Sequence, residues 1–420
     1  MKSTKPKKAS TVPPLKVAEV FAGVGGFREG LETLNPGKFK VILSNQHEPG
    51  EKTQFASKIY VQHYGSEGHF NIPIDDLLDS EIHLQDEYKG IDLIVGGFPC
   101  QDYSVAKARG KASGIEGKKG VLWWSILKLI ESTKPKYVLL ENVDRLAKSP
   151  AAQPGRDFAV MLRSLNNAGY SVEWRVINAG EFGFPQRRKR IYILAELGGK
   201  EPSNFESYLR ENSVIASAFP MVPTCEITEF ELDEDLVEIS VSFNLGAKKS
   251  PFLTAGIARN GSVKTIGLAP RSVQLLPLKD VILPAKEVQS EFWIQDTDVQ
   301  RWRDAKKGVR KNRSKGGFDY VYSEGDMPFP DSIDKPSRTI VTGEGGNTPS
   351  RFKHVIKQGR RYRRLTTEEL EILNGFEAGW TSSDSIRISD SRRAFLMGNA
   401  LVIGVIQKIG YSLAKHHEAR

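Results

Sequence analysis

The chain has 420 residues, 39% hydrophobic and 26% charged, the balance of a folded globular protein with room for two domains or one large domain carrying an insertion. No apolar run approaches the roughly 20 residues needed to span a bilayer. Two cysteines, Cys100 and Cys225, are too few for a disulfide scaffold or a cysteine-based zinc site and fit a reducing setting, while a net charge of +9 favours a polyanionic partner.

Residues 1–15 are Lys-rich and lack an apolar core, so they read as a basic disordered tail and not as a secretory signal. Beyond them, β-branched runs at Lys16–Val20, Lys40–Ser44, Ile91–Val95, Tyr137–Leu140, Val172–Ile177 and Ile191–Ala195 alternate with helical patterns such as Gly120–Glu131 and Arg156–Asn167. Strands alternating with helices predict an α/β fold with a mostly parallel sheet covered on both faces. Ligands of such sheets bind beyond the carboxyl ends of the strands.

The first strand runs into a glycine-rich turn. Gly23, Gly25 and Gly26 allow backbone to approach a ligand, and a helix N-terminus offers free N–H groups to an anion such as a carboxylate. The spacing is not that of the dinucleotide fingerprint, which disfavours a nicotinamide cofactor. Taken alone, the loop is equally a tight structural turn.

The segment Ile91–Ser104 is the sharpest signal. A buried strand delivers two glycines, Pro99 stiffens the turn, and Cys100 emerges at the rim. A sulfur nucleophile needs its thiolate form and access, and the lysines and arginine between Ala106 and Lys119 suit both a thiolate and a phosphate. A lone cysteine is more often a small buried hydrophobe, but Gln101, Asp102 and Ser104 argue against that here. Cys225 has no comparable setting.

Two further strands bring charge to the same rim. Glu141 ends Tyr137–Val143; such a residue is often only a helix cap, yet beside an exposed cysteine it is a candidate acid. Arg187, Arg188, Lys189 and Arg190 open another strand, where Arg188 and Arg190 should point to one side and suit a phosphate or a base carbonyl.

After residue 197 the texture changes. Seven carboxylates fall between Glu226 and Glu238, and eight Lys or Arg residues against one Asp between Arg301 and Phe318. Thr366-x-x-Glu369 reads as a capping box opening a helix that ends near Gly375. A last helix is expected over Ser391–His416. No internal repeat is present.

Phe-x-Gly-x-Gly-Gly at 21–26, Pro-Cys-Gln at 99–101, Glu-Asn-Val at 141–143, Gln-x-Arg-x-Arg at 186–190 and the late Gly398-Asn399 occur in one order. With them the chain resembles the DNA cytosine-5 methyltransferases, of the bacterial restriction-modification type, over about residues 16–195 and 335–408. The resemblance implies a Rossmann-like, S-adenosylmethionine-dependent catalytic domain over 16–197 and a smaller target-recognition domain over 198–380. A C-terminal helical segment, 381–420, would pack back on the first domain. Cys100 would add to carbon 6 of a flipped-out cytosine, Glu141 would hydrogen-bond or protonate ring nitrogen 3, Arg190 would meet the carbonyl oxygen, and Arg188 would assist. Phe21, Ala22, Gly23, Gly25, Gly26, Pro99, Leu122, Asn399 and Ala400 would border S-adenosylmethionine. No metal is implied.

Two places depart from the family pattern. Gln46 and His47 stand where an acidic residue and a large aromatic often hold ribose and adenine, which leaves Glu48 as another source of the ribose contact. Asn71, before Ile72, replaces an aspartate that receives the adenine amino group. The implied partners are double-stranded DNA and a separately encoded restriction endonuclease, for a monomer acting in the bacterial cytoplasm. Two other readings stay open: an RNA cytosine methyltransferase, disfavoured by some 140 residues of insertion, and a catalytically dead nucleic-acid-binding relative.

Overall fold

The computed structural model describes residues 12–98, 121–200, 202–271, 273–315 and 318–420. Seven strands form the heart of the fold: β1 (Leu15–Val20), β2 (Phe39–Asn45), β3 (His69–Phe70), β4 (Leu93–Gly97), β5 (Tyr137–Val143), β6 (Tyr170–Asn178) and β7 (Lys189–Leu197). Their spatial order is β3-β2-β1-β4-β5-β7-β6, parallel from β3 to β5, with β7 antiparallel to both its neighbours.

Side chains alternate between two cores, as the period of two along a strand requires. On one face Ala18, Val20, Ile94, Val138, Leu140, Ile191 and Ile193 meet helices α1 (Ile74–Asp79), α2 (Val121–Thr133) and α3 (Arg156–Asn167). On the other, Val17, Leu93, Val95, Leu139 and Leu194 meet the last helix of the chain. A sheet buried on both faces explains why β4 and β5 are nearly continuous apolar runs.

The sheet does not stop where the sequence changes texture at residue 197. A short ribbon of β8 (Met221–Pro223) and β12 (Leu268–Pro270) brackets three more strands, β9 (Thr228–Glu231), β10 (Ala255–Arg259) and β11 (Ser262–Ile266). These extend the sheet antiparallel from β6 in the order β10-β11-β9, making ten strands in all. Acidic β9 is the outer edge, where charge discourages pairing with another chain.

Beyond β12 the chain leaves the sheet and forms two hairpins. These are β13 (Val309–Lys315) with β14 (Phe318–Glu324), and β15 (Val355–Gln358) with β16 (Arg361–Arg364). The expected capping box is present: Thr366 caps a helix over Thr367–Asn374 that ends at left-handed Gly375.

The single last helix expected from the sequence is two helices, Asp390–Asn399 and Ile403–Glu418, separated by extended Ala400 and Val402. Leu401 and Val402 are both buried, so the apolar pattern continues through the break and conceals it. The stretch Asp390–Glu418 is long and apolar enough to cross a membrane by length and composition, but 61% of its apolar window is buried inside the fold. Burial against Leu31 and the sheet accounts for that hydrophobicity.

Candidate active site on the carboxyl rim

The described loops after β1, β2 and β3 leave from the carboxyl ends of adjacent parallel strands. The first follows β1. Phe21, Gly23 and Gly25 all have positive φ, at 54°, 57° and 90°, which folds the chain tightly before the short helix Gly26–Arg28. The space limits are one-sided. A Cβ on Gly25 would lie 2.4 Å from the Tyr64 ring and one on Gly26 3.2 Å from Leu401, whereas one on Gly23 would meet nothing within 4 Å. The turn is packed from below and open above.

The loop after β2 locks onto it. The Gly23 N–H donates to the Gln46 side-chain oxygen at 2.8 Å, and the Ala22 N–H to the Asn45 carbonyl at 3.0 Å. Asn71, exposed at the end of β3, donates its amide to the Gln46 carbonyl and, at 3.2 Å, to Gln54. Among the described residues its side-chain oxygen accepts no hydrogen bond. His47 is half-buried, with a buried Nδ1 that has no partner among the described residues. Glu48 is not free for a ribose: Arg392 of the penultimate helix holds it at 2.6 Å, and the Ala56 N–H donates to its other oxygen at 3.3 Å. Phe21, Ile72 and Leu122, the last in the first turn of the helix Val121–Thr133, each lie half-buried against the core on one face of the sheet. Asn399 is exposed and Ala400 half-buried at the break between the last helices.

Behind the loop sits Glu19, wholly buried on β1. Tyr60 donates its hydroxyl to one Glu19 oxygen at 3.0 Å and the Arg28 N–H reaches the other at 3.3 Å. Burial outweighs both bonds and raises the carboxyl from the ordinary 4.5 to about 7. With a folded pKa above the unfolded one, this group contributes stability that is complete below pH 4.5 and lost as pH rises through 7. Glu19→Gln imitates the neutral acid, so its melting temperature relative to wild type should climb between pH 5 and pH 8. A difference that stays flat over that range would mean Glu19 is charged throughout.

The catalytic candidates gather on β4, β5 and β7. Pro99 and Cys100 lie outside the described residues, but the strand leading to them is fixed. The Asn142 amide donates to the Phe98 carbonyl at 2.8 Å, and a Cβ on Gly97 would stand 3.2 Å from a Glu141 oxygen. Glu141, 9% exposed, pairs with Arg190 at 2.8 Å between Nε and Oε1 across adjacent strands. A carboxyl group and a guanidinium are therefore held side by side, each partly open to solvent, next to β4, the strand that precedes Cys100 in the sequence.

Arg188 and Arg190 do not converge on one partner. Arg188 precedes the strand, is 3% exposed, and donates to the carbonyls of Ile340 at 3.1 Å and Gly398 at 2.9 Å. Burial, then the Arg190 charge, lowers its pKa to about 9, which leaves it a cation at neutral pH. Gln186 does related work. It accepts the Ile340 N–H at 3.0 Å and donates to Asn374, which in turn donates to the Met397 carbonyl at 2.9 Å. The Gln-x-Arg-x-Arg segment thus presents Arg190 to the rim and fastens segments from much later in the chain behind it. A Cβ on Gly398 would lie 2.4 Å from the Thr342 nitrogen, so Gly398→Ala is expected to loosen this seam and lower the melting temperature by several degrees. An unchanged melting curve would show that the seam yields freely. Neither Asn142 nor Gln186 was singled out from the sequence, although both stand inside motifs that were.

Parallel strands carrying a glycine loop, an antiparallel seventh strand between the fifth and sixth, and ligand-facing loops on one rim define a Rossmann-like methyltransferase. The chain belongs to the C-5 cytosine-specific DNA methylases, whose family profile matches residues 15–415. It is similar to the Type II methyltransferase M.Sau3AI of Staphylococcus aureus, 40% identical over 414 residues and 96% of each chain. It is also similar to the Type II methyltransferase M.Bsp6I of Bacillus sp. strain RFL6, 32% identical over 408 residues, 96% of this chain and 99% of the other. The crystal structure of S. pombe Dnmt2 methyltransferase shares the fold, with a TM-score of 0.59 at 15% identity over 96% of this chain and 99% of that one. The protein is a DNA cytosine-5 methyltransferase.

Proposed function

We propose that the enzyme methylates carbon 5 of a cytosine within a specific duplex sequence, with S-adenosylmethionine as donor and Cys100 as nucleophile, as the modification partner of a restriction endonuclease. The pairing of Glu141 with Arg190 at 2.8 Å beside the Gly97–Phe98 strand end is the observation that carries this reading. When bound, S-adenosylmethionine supplies an electrophilic methyl group. The open space over Gly23 suits its amino-acid end, and we assign Phe21, Gln46, His47, Asn71, Ile72, Leu122, Asn399 and Ala400 to the rest of its site.

The residues of this chain answer a specific chemical difficulty. Carbon 5 of cytosine is a poor nucleophile. A Cys100 thiolate adding to carbon 6 forms a C–S bond and pushes an electron pair into the ring, where Glu141 protonates or hydrogen-bonds nitrogen 3 and Arg190 faces the carbonyl oxygen. Carbon 5 takes the methyl group, loses its proton to a base, and expels the thiolate as the C–S bond breaks. Arg188 acts here by holding the Ile340 and Gly398 carbonyls behind the strand that carries Arg190. The cytosine must leave the helix to be reached, since its ring is stacked in duplex DNA.

Recognition falls within 198–380, and within it to the part that leaves the sheet after β12. There, exposed Arg361 lies 4.4 Å over the Trp293 ring, and a basic stretch surrounds β13; such cations contact phosphates and base edges. A monomer acting on DNA in the cytoplasm fits this reading. Bisulfite sequencing of DNA from cells expressing the chain tests activity and target together. Protected cytosines within one recurring short sequence are expected; conversion equal to that of control cells would overturn the proposal.

A further inference from the structure

The glycine loop is held from the opposite end of the chain. The Trp380 indole N–H donates to the Val24 carbonyl at 3.0 Å, inside the loop and 356 residues away in sequence. Val24 lies between Gly23, which is open above, and Gly25, whose backbone is pressed against Tyr64. Its carbonyl direction therefore sets the tilt of the turn.

Trp380 is itself rigidly seated. Its ring stacks on His63 with centroids 3.6 Å apart and planes within 7°, and His63 Nε2 bonds its carbonyl at 2.8 Å. The residues on either side of it are clamped by one buried acid. Glu371, on the helix Thr367–Asn374, accepts the N–H groups of Gly379 at 2.6 Å and Thr381 at 2.9 Å, and is itself paired with Arg393 at 2.9 Å. That helix begins where β16 ends, and the buried Arg363–Glu369 pair at 2.7 Å ties the two together. A continuous chain of charged and aromatic contacts thus runs from β16 to the turn after β1.

We infer that Trp380 is a positioning residue for the methyl-donor loop: its indole N–H sets the Val24 carbonyl and so fixes the loop in its donor-binding geometry. The inference rests on the reading of that loop as the S-adenosylmethionine site. A buried hydrogen bond of this kind, lost without loss of the ring, changes an equilibrium by about fivefold.

Trp380→Phe keeps an aromatic ring beside His63 and removes the donor together with the rest of the indole. Equilibrium dialysis with S-adenosylmethionine should show a dissociation constant raised about fivefold, with duplex binding and kcat at saturating donor unchanged and a melting temperature lowered by no more than a few degrees. An unchanged donor affinity overturns the inference, and so does a parallel fall in donor binding and duplex binding, because that marks general loosening. Should Trp380→Phe not fold, His63→Ala, at a half-buried site, removes the stacking partner instead. It should weaken donor binding in the same selective way, and a donor affinity equal to wild type would then overturn the inference.

Gly23→Asn separates this inference from the reading beneath it. Asn tolerates the left-handed backbone at φ 57° and places its side chain in the open space. If it binds S-adenosylmethionine as tightly as wild type, the loop is not the donor site and both ideas fall. If it loses binding while Trp380→Phe does not, only the role of Trp380 falls.

Discussion

Replacing Glu141 with glutamine is expected to slow methyl transfer by roughly 10²- to 10⁴-fold while leaving duplex and donor affinity near wild type. The glutamine oxygen can still accept from Arg190 Nε, now at 2.8 Å from the carboxylate, so the local geometry survives. What disappears is the carboxyl group's capacity to pass a proton to the ring. Electron density pushed into the ring by the nucleophile then has no acid at nitrogen 3 to receive it. Single-turnover methylation of a duplex at saturating donor isolates this step from binding and product release. A loss smaller than threefold would show that Glu141 does not act on the ring. Arg190→Met should also be slow, for a different reason: it strands a carboxylate that is only 9% exposed and removes the group facing the base carbonyl.

The placement of Glu141 and Arg190 was legible because strand ends follow simple rules. The β-branched runs that mark β1, β2 and β4 to β7 also locate their carboxyl ends, and the rim follows from those ends. The Thr366 capping box was equally plain, since both of its hydrogen bonds are local.

Other features were hidden by the same rules. Arg188 and Arg190 looked like one pair by alternation, but β7 starts only at Lys189, so Arg188 obeys no strand geometry and turns inward to two carbonyls. The strand β9 gives little signal because an edge strand carrying Glu229 and Glu231 lacks the apolar alternation of a half-buried strand, and β10 and β11 are only five residues each, with Gly256 in the first. Glu48 looked available for a ribose because Arg392, its partner, lies 344 residues away. Trp380 gave no signal at all. Contacts made by distant side chains leave no periodic trace, and much of what tightens this site is of that kind.

Mutation of Cys100 to alanine is expected to abolish methyl transfer, a fall of roughly four orders of magnitude or more, comparable to removing the nucleophile of other covalent enzymes. The size follows from the ring. Without a bond at carbon 6, carbon 5 stays inside a delocalised system and cannot attack a methyl group, and no rearrangement of Glu141 or Arg190 supplies the missing electron pair. Serine at the same position should do little better, because its hydroxyl is almost wholly un-ionised at neutral pH. The chemistry also predicts a trapped species. A duplex carrying 5-fluorocytosine at the target has no proton to lose from carbon 5, so wild-type enzyme should remain covalently joined to it after methylation. Cys100→Ala should bind that duplex and release it intact on denaturation. Glu141→Gln should form the adduct slowly, because its thiolate is present and only the acid is missing. Full methylation by Cys100→Ala, or an adduct that survives its substitution, would place the nucleophile elsewhere in the chain; Cys225 is the sole other cysteine, and peptide mapping of the trapped complex would identify which residue carries the base.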